Sequence, residues 1–317
     1  MEHFADTLNQ VLPILLLIIL GNRLRRYAFI SEHTVEGLKW LALNVALPSV
    51  LFASFLNLEL KVSYLAVMAV IFGLCVFMYG LGRLTARVLR ITHPYFPLLV
   101  TGFEFGMLGV SLFGTSYGME AIGYIAVIGL GHEFFIWFPF LSVLLIMRDN
   151  VRDPLRLAAA FVKAPPILAI LLGVTLNLLG ARETLYTGPV LGGIMATLDI
   201  LGRMTIPLIL VIVGYGFRLE AHGLKDVVGT VAFRMACLIP LALLLNRLFL
   251  GDLLGLGHPF QAGLFTMLIL PPPFIIPLFM KPEDHEERRY VNNVLTVNTV
   301  ASLAVFAVYL AFNPTLN

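Results

Sequence analysis

Ten apolar runs follow one another along this chain, parted by short clusters of charge. They centre on residues 12–20, 38–56, 64–84, 96–114, 122–147, 157–179, 190–217, 227–248, 260–280 and 290–312. A helix needs about 20 such residues to cross a bilayer, where hydrocarbon offers the backbone no hydrogen-bond partner. The runs therefore predict an all-α integral membrane protein with ten transmembrane helices. Composition excludes the alternative of a water-soluble fold. Of the 317 residues, 59% are hydrophobic and 13% charged, about half the charge of a soluble domain. Cys75 and Cys237 sit inside apolar runs and are expected as packing thiols rather than a disulfide. The first ten residues hold Glu2 and Asp6 but no Lys or Arg. They lack the basic start of a cleaved signal peptide, so the first run is expected to be retained.

Lys and Arg concentrate in cytoplasmic loops, so ten spans predict that alternate loops are basic. Five clusters obey this: Arg23/Arg25/Arg26 with Lys39, Arg83/Arg87/Arg90, Arg148/Arg152/Arg156/Lys163, Arg218/Lys225/Arg234 and Lys281/Arg288/Arg289. They account for 17 of the 21 basic residues, against Lys61, Arg182 and Arg247 on the other side, with Arg203 inside a span. The expected location is the inner membrane, with both termini extracytoplasmic.

Five spans per half is an odd number, so a duplicated half must be inverted. Two short likenesses point to duplication. Asn44-Val-Ala-Leu-Pro48 in span two resembles Met204-Thr-Ile-Pro207 in span seven, with the prolines 159 residues apart. His93-Pro94-Tyr95-Phe96 opening span four resembles His258-Pro259-Phe260 opening span nine, at a separation of 165. The expected halves are residues 1–150 and 151–317.

Spans four and nine are also where helices should fail. Span four carries Gly102, Glu104, Gly106, Gly109 and Gly114; span nine carries Pro271, Pro272, Pro273 and Pro277. Successive prolines cannot continue a helix, and glycines weaken one. Broken backbone survives in a bilayer only when buried in protein or lining a watery cavity. Breaks at corresponding places in two halves point to a transporter's substrate site. Gly106, Gly109, Pro272 and Pro273 are thus candidate site residues.

Charge inside a span is costly and needs a reason. Glu104 at the first break is a candidate for proton or cation coupling. His132 and Glu133 in span five point to different faces, and His132 is a candidate proton carrier or a packing histidine. Asp199 and Arg203, four apart in span seven, are spaced for an ion pair. Asn292, Asn293, Thr296, Asn298 and Thr299 form a polar stripe in span ten that should face the interior, with Asn298 a candidate ligand. No metal site is expected: Ile136 stands where a zinc helix starting His132-Glu133 would need its second histidine. No phosphate-binding loop, dinucleotide fingerprint or nucleophile elbow occurs, so no cofactor and no enzyme chemistry are expected. The only cofactor-like species foreseen is a coupling ion, H+ or Na+.

The same residues resemble the auxin efflux carrier family, within the wider bile-acid and auxin carrier group. Span seven, Leu201 to Leu219 with Thr205-Ile-Pro207 inside it, is similar to that family's Thr-Ile-Pro-Leu helix, and Leu43-Asn44-Val-Ala-Leu-Pro48 to its Asn-x-x-Leu-Pro helix. The family's Asn-x-x-x-x-Gly-x-Pro maps onto Glu104, Gly109 and Ser111, which departs from it twice; its Leu-Pro-x-x-x-x-Pro maps onto Pro272 and Pro277. The resemblance implies a five-plus-five inverted fold with two broken crossover helices (spans four and nine) and alternating access between a scaffold and a transport domain. It also implies small organic anions as substrates.

The sequence thus predicts a secondary transporter of a small organic solute, with a carboxylate as the expected class. A carboxylate at Glu104 would repel an anion unless protonated or neutralised by a cation. A sodium-coupled carrier of the bile-acid type is the alternative within transport; an intramembrane enzyme or sensor is the alternative outside it. Expected partners are the solute and the lipid bilayer, with a homodimer permitted and no nucleic acid.

Overall fold

The structure, a computed structural model, describes residues 2–149, 163–217, 223–281 and 283–316. All regular structure among them is helical. Helix α1 is Glu2–Arg26, α2 Glu32–Asn57, α3 Ser63–Val88, α4 Phe96–Leu99, α5 residues 105–117 and α6 Met119–Arg148. After residues 150–162 follow α7 Pro165–Leu178, α8 Arg182–Thr187, α9 Leu191–Gly216, α10 Leu224–Leu253, α11 His258–Ile269 and α12 His285–Phe312. The expected boundary between halves at residue 150, the basic residues Arg152, Arg156 and Arg218, and the start of the sixth run lie outside the described residues.

Six of these helices, α2, α3, α6, α9, α10 and α12, are long and apolar enough to cross a membrane. The chain is a multi-pass membrane protein. The difference from the expected ten has physical reasons. Spans four and nine are each cut into short pieces, and α7 is a 14-residue apolar helix that starts only after the undescribed stretch. The outer surface agrees with lipid as solvent. Leu65, Phe72, Phe77 and Leu84 of α3, Leu168, Leu171 and Leu172 of α7, and Ile194 and Ile200 of α9 are all exposed. A water-soluble monomer rarely shows so much contiguous apolar surface.

Prolines shape the long helices. Pro48 lacks the N–H that a regular turn would use, and the helix widens to a π-turn over Ala42–Ala46 just ahead of it. Asn44 Nδ2 donates to Trp40 O at 2.9 Å within the same turn. In α9 the counterpart is a turn at Met204, two residues after Gly202, with Thr205 and Pro207 opening the next stretch of helix.

Helix pairs meet where glycines remove side chains. α1 runs along α9, with Gly21 against the Val211 carbonyl and Gly214 against the Ile18 carbonyl, so the two backbones touch. α7 runs along α2, where a Cβ on Gly173 would lie 2.8 Å from Phe52 O. α3 packs on α6, and α10 on both α11 and α12. The most completely buried segments are α5 and α11, the two that belong to the interrupted spans.

Candidate functional site

The helix of span four stops at Leu99, and the chain runs irregularly through Thr101, Gly102, Phe103 and Glu104 before α5 starts at Phe105. Gly102 has φ +66°, and a Cβ there would lie 2.9 Å from Pro273 Cγ. Only glycine enters this conformation without strain. The interruption thus falls a few residues before the place the sequence suggests. Gly106 and Gly109 are already helical, in the wide first turn of α5, because Glu104 O accepts from Gly109 N at 3.0 Å and closes that turn. Gly109 instead serves a close approach, since a Cβ there would lie 2.7 Å from Leu270 Cδ1.

Span nine stops at Ile269. Leu270 is extended, with φ −61° and ψ 153°. Pro271, Pro272 and Pro273 follow without helix, and a 3-10 turn resumes over Ile276–Phe279. The prolines bring no N–H to satisfy, which removes three donors from a buried stretch.

The two interruptions lie against each other and share hydrogen bonds. Glu104 N donates to Pro271 O at 2.8 Å. The Glu104 carboxylate, 9% exposed, accepts from Phe274 N at Oε2, 2.5 Å, and from Met107 N at Oε1, 3.4 Å. It therefore caps the resuming turns of both spans. Phe103 N donates to His132 Nε2 at 2.8 Å. A ring nitrogen that accepts a backbone N–H carries no proton itself, so this bond requires His132 in the tautomer with hydrogen on Nδ1. Nδ1 lies 3.4 Å from Glu133 Oε1 without a hydrogen-bonding geometry, and Glu133 Oε2 accepts from Trp137 Nε1 at 3.1 Å. His132 holds the break in shape; a proton on Nε2 would have to displace the Phe103 amide.

The residue that the sequence reading misplaced is Arg234. Counted above with the loop clusters, it instead lies within α10 and is fully buried. Its Nη2 donates to Gly102 O at 2.6 Å and Leu270 O at 2.9 Å, and Nη1 donates to Leu99 O at 3.2 Å. The guanidinium also lies 5.1 Å from the centroid of the Phe103 ring. Arg234 thus satisfies the carbonyl ends of α4 and α11, where helix dipoles concentrate partial negative charge. The signal for it was an arginine deep inside the apolar run 227–248, whose other arginine, Arg247, stands at its end.

Asn298 of α12 is fully buried, and its Nδ2 donates to Ser302 Oγ at 3.1 Å. Ser302 Oγ donates to Ile269 O at 2.5 Å, next to the second interruption. Among the described residues Asn298 Oδ1 has no partner, nor do Thr266 Oγ1 in α11 and Thr205 Oγ1 in α9. Buried polar atoms are usually paired, so Asn298 Oδ1 marks a point where a ligand or water would be accommodated. The pair expected between Asp199 and Arg203 is not formed. Both side chains are exposed on α9, and no ion pair of either is found among the described residues. The four-residue spacing permits such a pair but does not by itself bring the two side chains together.

Cavities open at opposite ends of α10 and α12. One, about 430 Å³, lies between His93, Phe96, Lys225 and Tyr290. The other, about 710 Å³, lies between Asn246, Gln261, Phe265 and Tyr309. Arg234 falls between them along α10, and neither cavity is lined by Arg234 or Glu104.

No family profile matches the chain. Over 230 residues it is 28% identical to a protein named "Uncharacterized transporter" from Methanothermobacter thermautotrophicus (strain Delta H), covering 70% of this chain and 72% of that protein. The likeness and the helices together support a transporter-like membrane protein.

Proposed function

We propose that the chain is a secondary transporter that moves a small organic solute, a carboxylate by expected class, across the inner membrane by alternating access. The observation that carries this reading is the pair of adjoining interruptions, whose main-chain groups are satisfied by Glu104, Arg234 and each other rather than by regular helix. Unwound backbone held inside a membrane protein is the usual setting of a carrier's substrate and coupling-ion sites. Two further features support it. The cavities flank the interruptions from opposite ends of the same helices. The packing is also reciprocal: α1, the first span, lies on the seventh, and α7, the sixth, lies on the second. Inverted copies of one five-span unit would produce that exchange. The auxin efflux carrier family, which the span-two, span-four and span-nine motifs resemble, is the family we assign on this basis.

In this reading Glu104 couples flux to a proton or cation gradient, because protonation alters an acceptor shared by both interruptions. The test is uptake of radiolabelled mono- and dicarboxylates into proteoliposomes under imposed pH or cation gradients. Accumulation that depends on the gradient in the native protein, and loses that dependence in Glu104→Gln, is expected. Gradient dependence unchanged by the substitution would remove Glu104 from coupling. Chemical conversion of the solute without accumulation would replace the transporter by an enzyme.

A further inference from the structure

The surroundings of Arg234 bear on which ion does the coupling. Its guanidinium has no acid within ion-pair distance among the described residues. Three main-chain carbonyls take that place: Leu99 and Gly102, at and just past the C-terminal end of α4, and Leu270, at that of α11. These are the groups that bind an alkali cation when half-helices end inside a carrier, since their partial negative charge converges on one point. Here the point is filled by a charge that belongs to the chain. Burial is complete, and the fixed planar fork spends Nη2 on both interruptions at once, something a flexible ammonium is less suited to do. A sodium ion would have to take the same carbonyls from the guanidinium while standing beside a like charge.

We infer that Arg234 is a tethered cation occupying the place of a coupling sodium ion, so that the protein binds no sodium at its interruptions and works without a sodium gradient. The statement about coupling rests on the transporter reading above; the statement about cation binding does not. Arg234 acts here as a positioning residue, through the main chain of both interruptions.

The experiment is thermal unfolding of the purified full-length protein at constant ionic strength, with sodium exchanged for choline. The native protein is expected to have the same Tm in both, because a ligand that binds only the folded state would raise it. Arg234→Ala is expected to lower Tm, and millimolar guanidinium or sodium, but not choline, to recover at least half of the loss. A residue that merely fills space would give no such cation-specific recovery. Arg234→Lys keeps the charge and is expected to remain indifferent to sodium. Selective stabilisation of the native protein or of Arg234→Lys by sodium would overturn the inference, and so would an alanine variant that responds to neither cation. Should the alanine variant not fold, the native and lysine proteins decide the matter by themselves. None of these readouts requires flux. Failure of the transporter reading would appear as absent uptake with this cation pattern intact, and failure of the inference as an altered pattern with uptake intact.

Discussion

Glu104 and Arg234 divide the two chain interruptions between them by sign. The carboxylate takes N–H groups, of Met107 and Phe274, and the guanidinium takes carbonyls, of Leu99, Gly102 and Leu270. Each residue therefore contacts both spans. The arrangement follows from the helix dipole, which leaves positive character where helix begins and negative character where it ends.

If Glu104 is a cap shared by two spans, what it supplies to stability is acceptor oxygen. Glu104→Gln keeps one such oxygen, whereas Glu104→Ala leaves the Phe274 and Met107 amides without their present partner. The alanine variant should be the less stable of the two, by about 1 kcal/mol for the part-buried Phe274 amide. Denaturant titration in detergent measures the difference. Equal stability would deny the shared cap.

His132 offers a similar contrast with one donor. Phe103 N needs an acceptor, which the amide oxygen of His132→Gln can provide and the ring of His132→Phe cannot. The phenylalanine variant should lose about 1–3 kcal/mol, and the Phe103 amide should exchange its hydrogen faster. Indistinguishable variants would mean that the ring only packs.

Two glycines of span four should behave oppositely. Gly102→Ala forces a side chain into φ +66° and against Pro273, at a cost of about 1–2 kcal/mol for the backbone alone. Gly106→Ala meets nothing nearer than Leu47 Cδ2 at 3.7 Å and lies in helix, so it should be neutral or stabilise by about 0.5–1 kcal/mol. Melting temperatures of the two variants in one detergent test this. The reverse order would place the interruption at Gly106.

The α1 and α9 backbones touch at two glycines. Gly214→Leu must push the Ile18 carbonyl away, and over-packing of this kind costs about 1–3 kcal/mol or more. A Cβ on Gly216, two residues on, meets nothing within 4 Å among the described residues, and Gly216→Ala should leave stability nearly unchanged. Comparison of the two by thermal unfolding checks the contact.

What could be read in the sequence was whatever has a local backbone consequence. Pro271 to Pro273 cannot be helical, whatever surrounds them. Gly102 was readable as a weak point, but the reading chose Gly106 and Gly109 for the break, because a left-handed residue is recognised by its dihedral angle and not by its name. What could not be read was tertiary. Arg234 follows Lys225 in an alternation that rewards counting basic residues into loops, and only the neighbouring carbonyls of Leu99, Gly102 and Leu270 reveal why an arginine is tolerated inside α10. Asp199 and Arg203 erred in the other direction: spacing along a helix permits a pair, but whether the two side chains meet is not written in the spacing. Ser302 went unnoticed because a hydroxyl in a polar stripe carries no sign that it reaches Ile269 O.

The bonds from Glu104 and Arg234 knot two distant stretches of chain into one mechanical object. For a carrier this has a consequence for how a cargo changes sides. One broken segment cannot swing open as a flap while the other stays shut, since either movement would pull a carboxylate or a guanidinium off its second set of partners. In the proposed carrier the knot would travel whole and bring its passenger along.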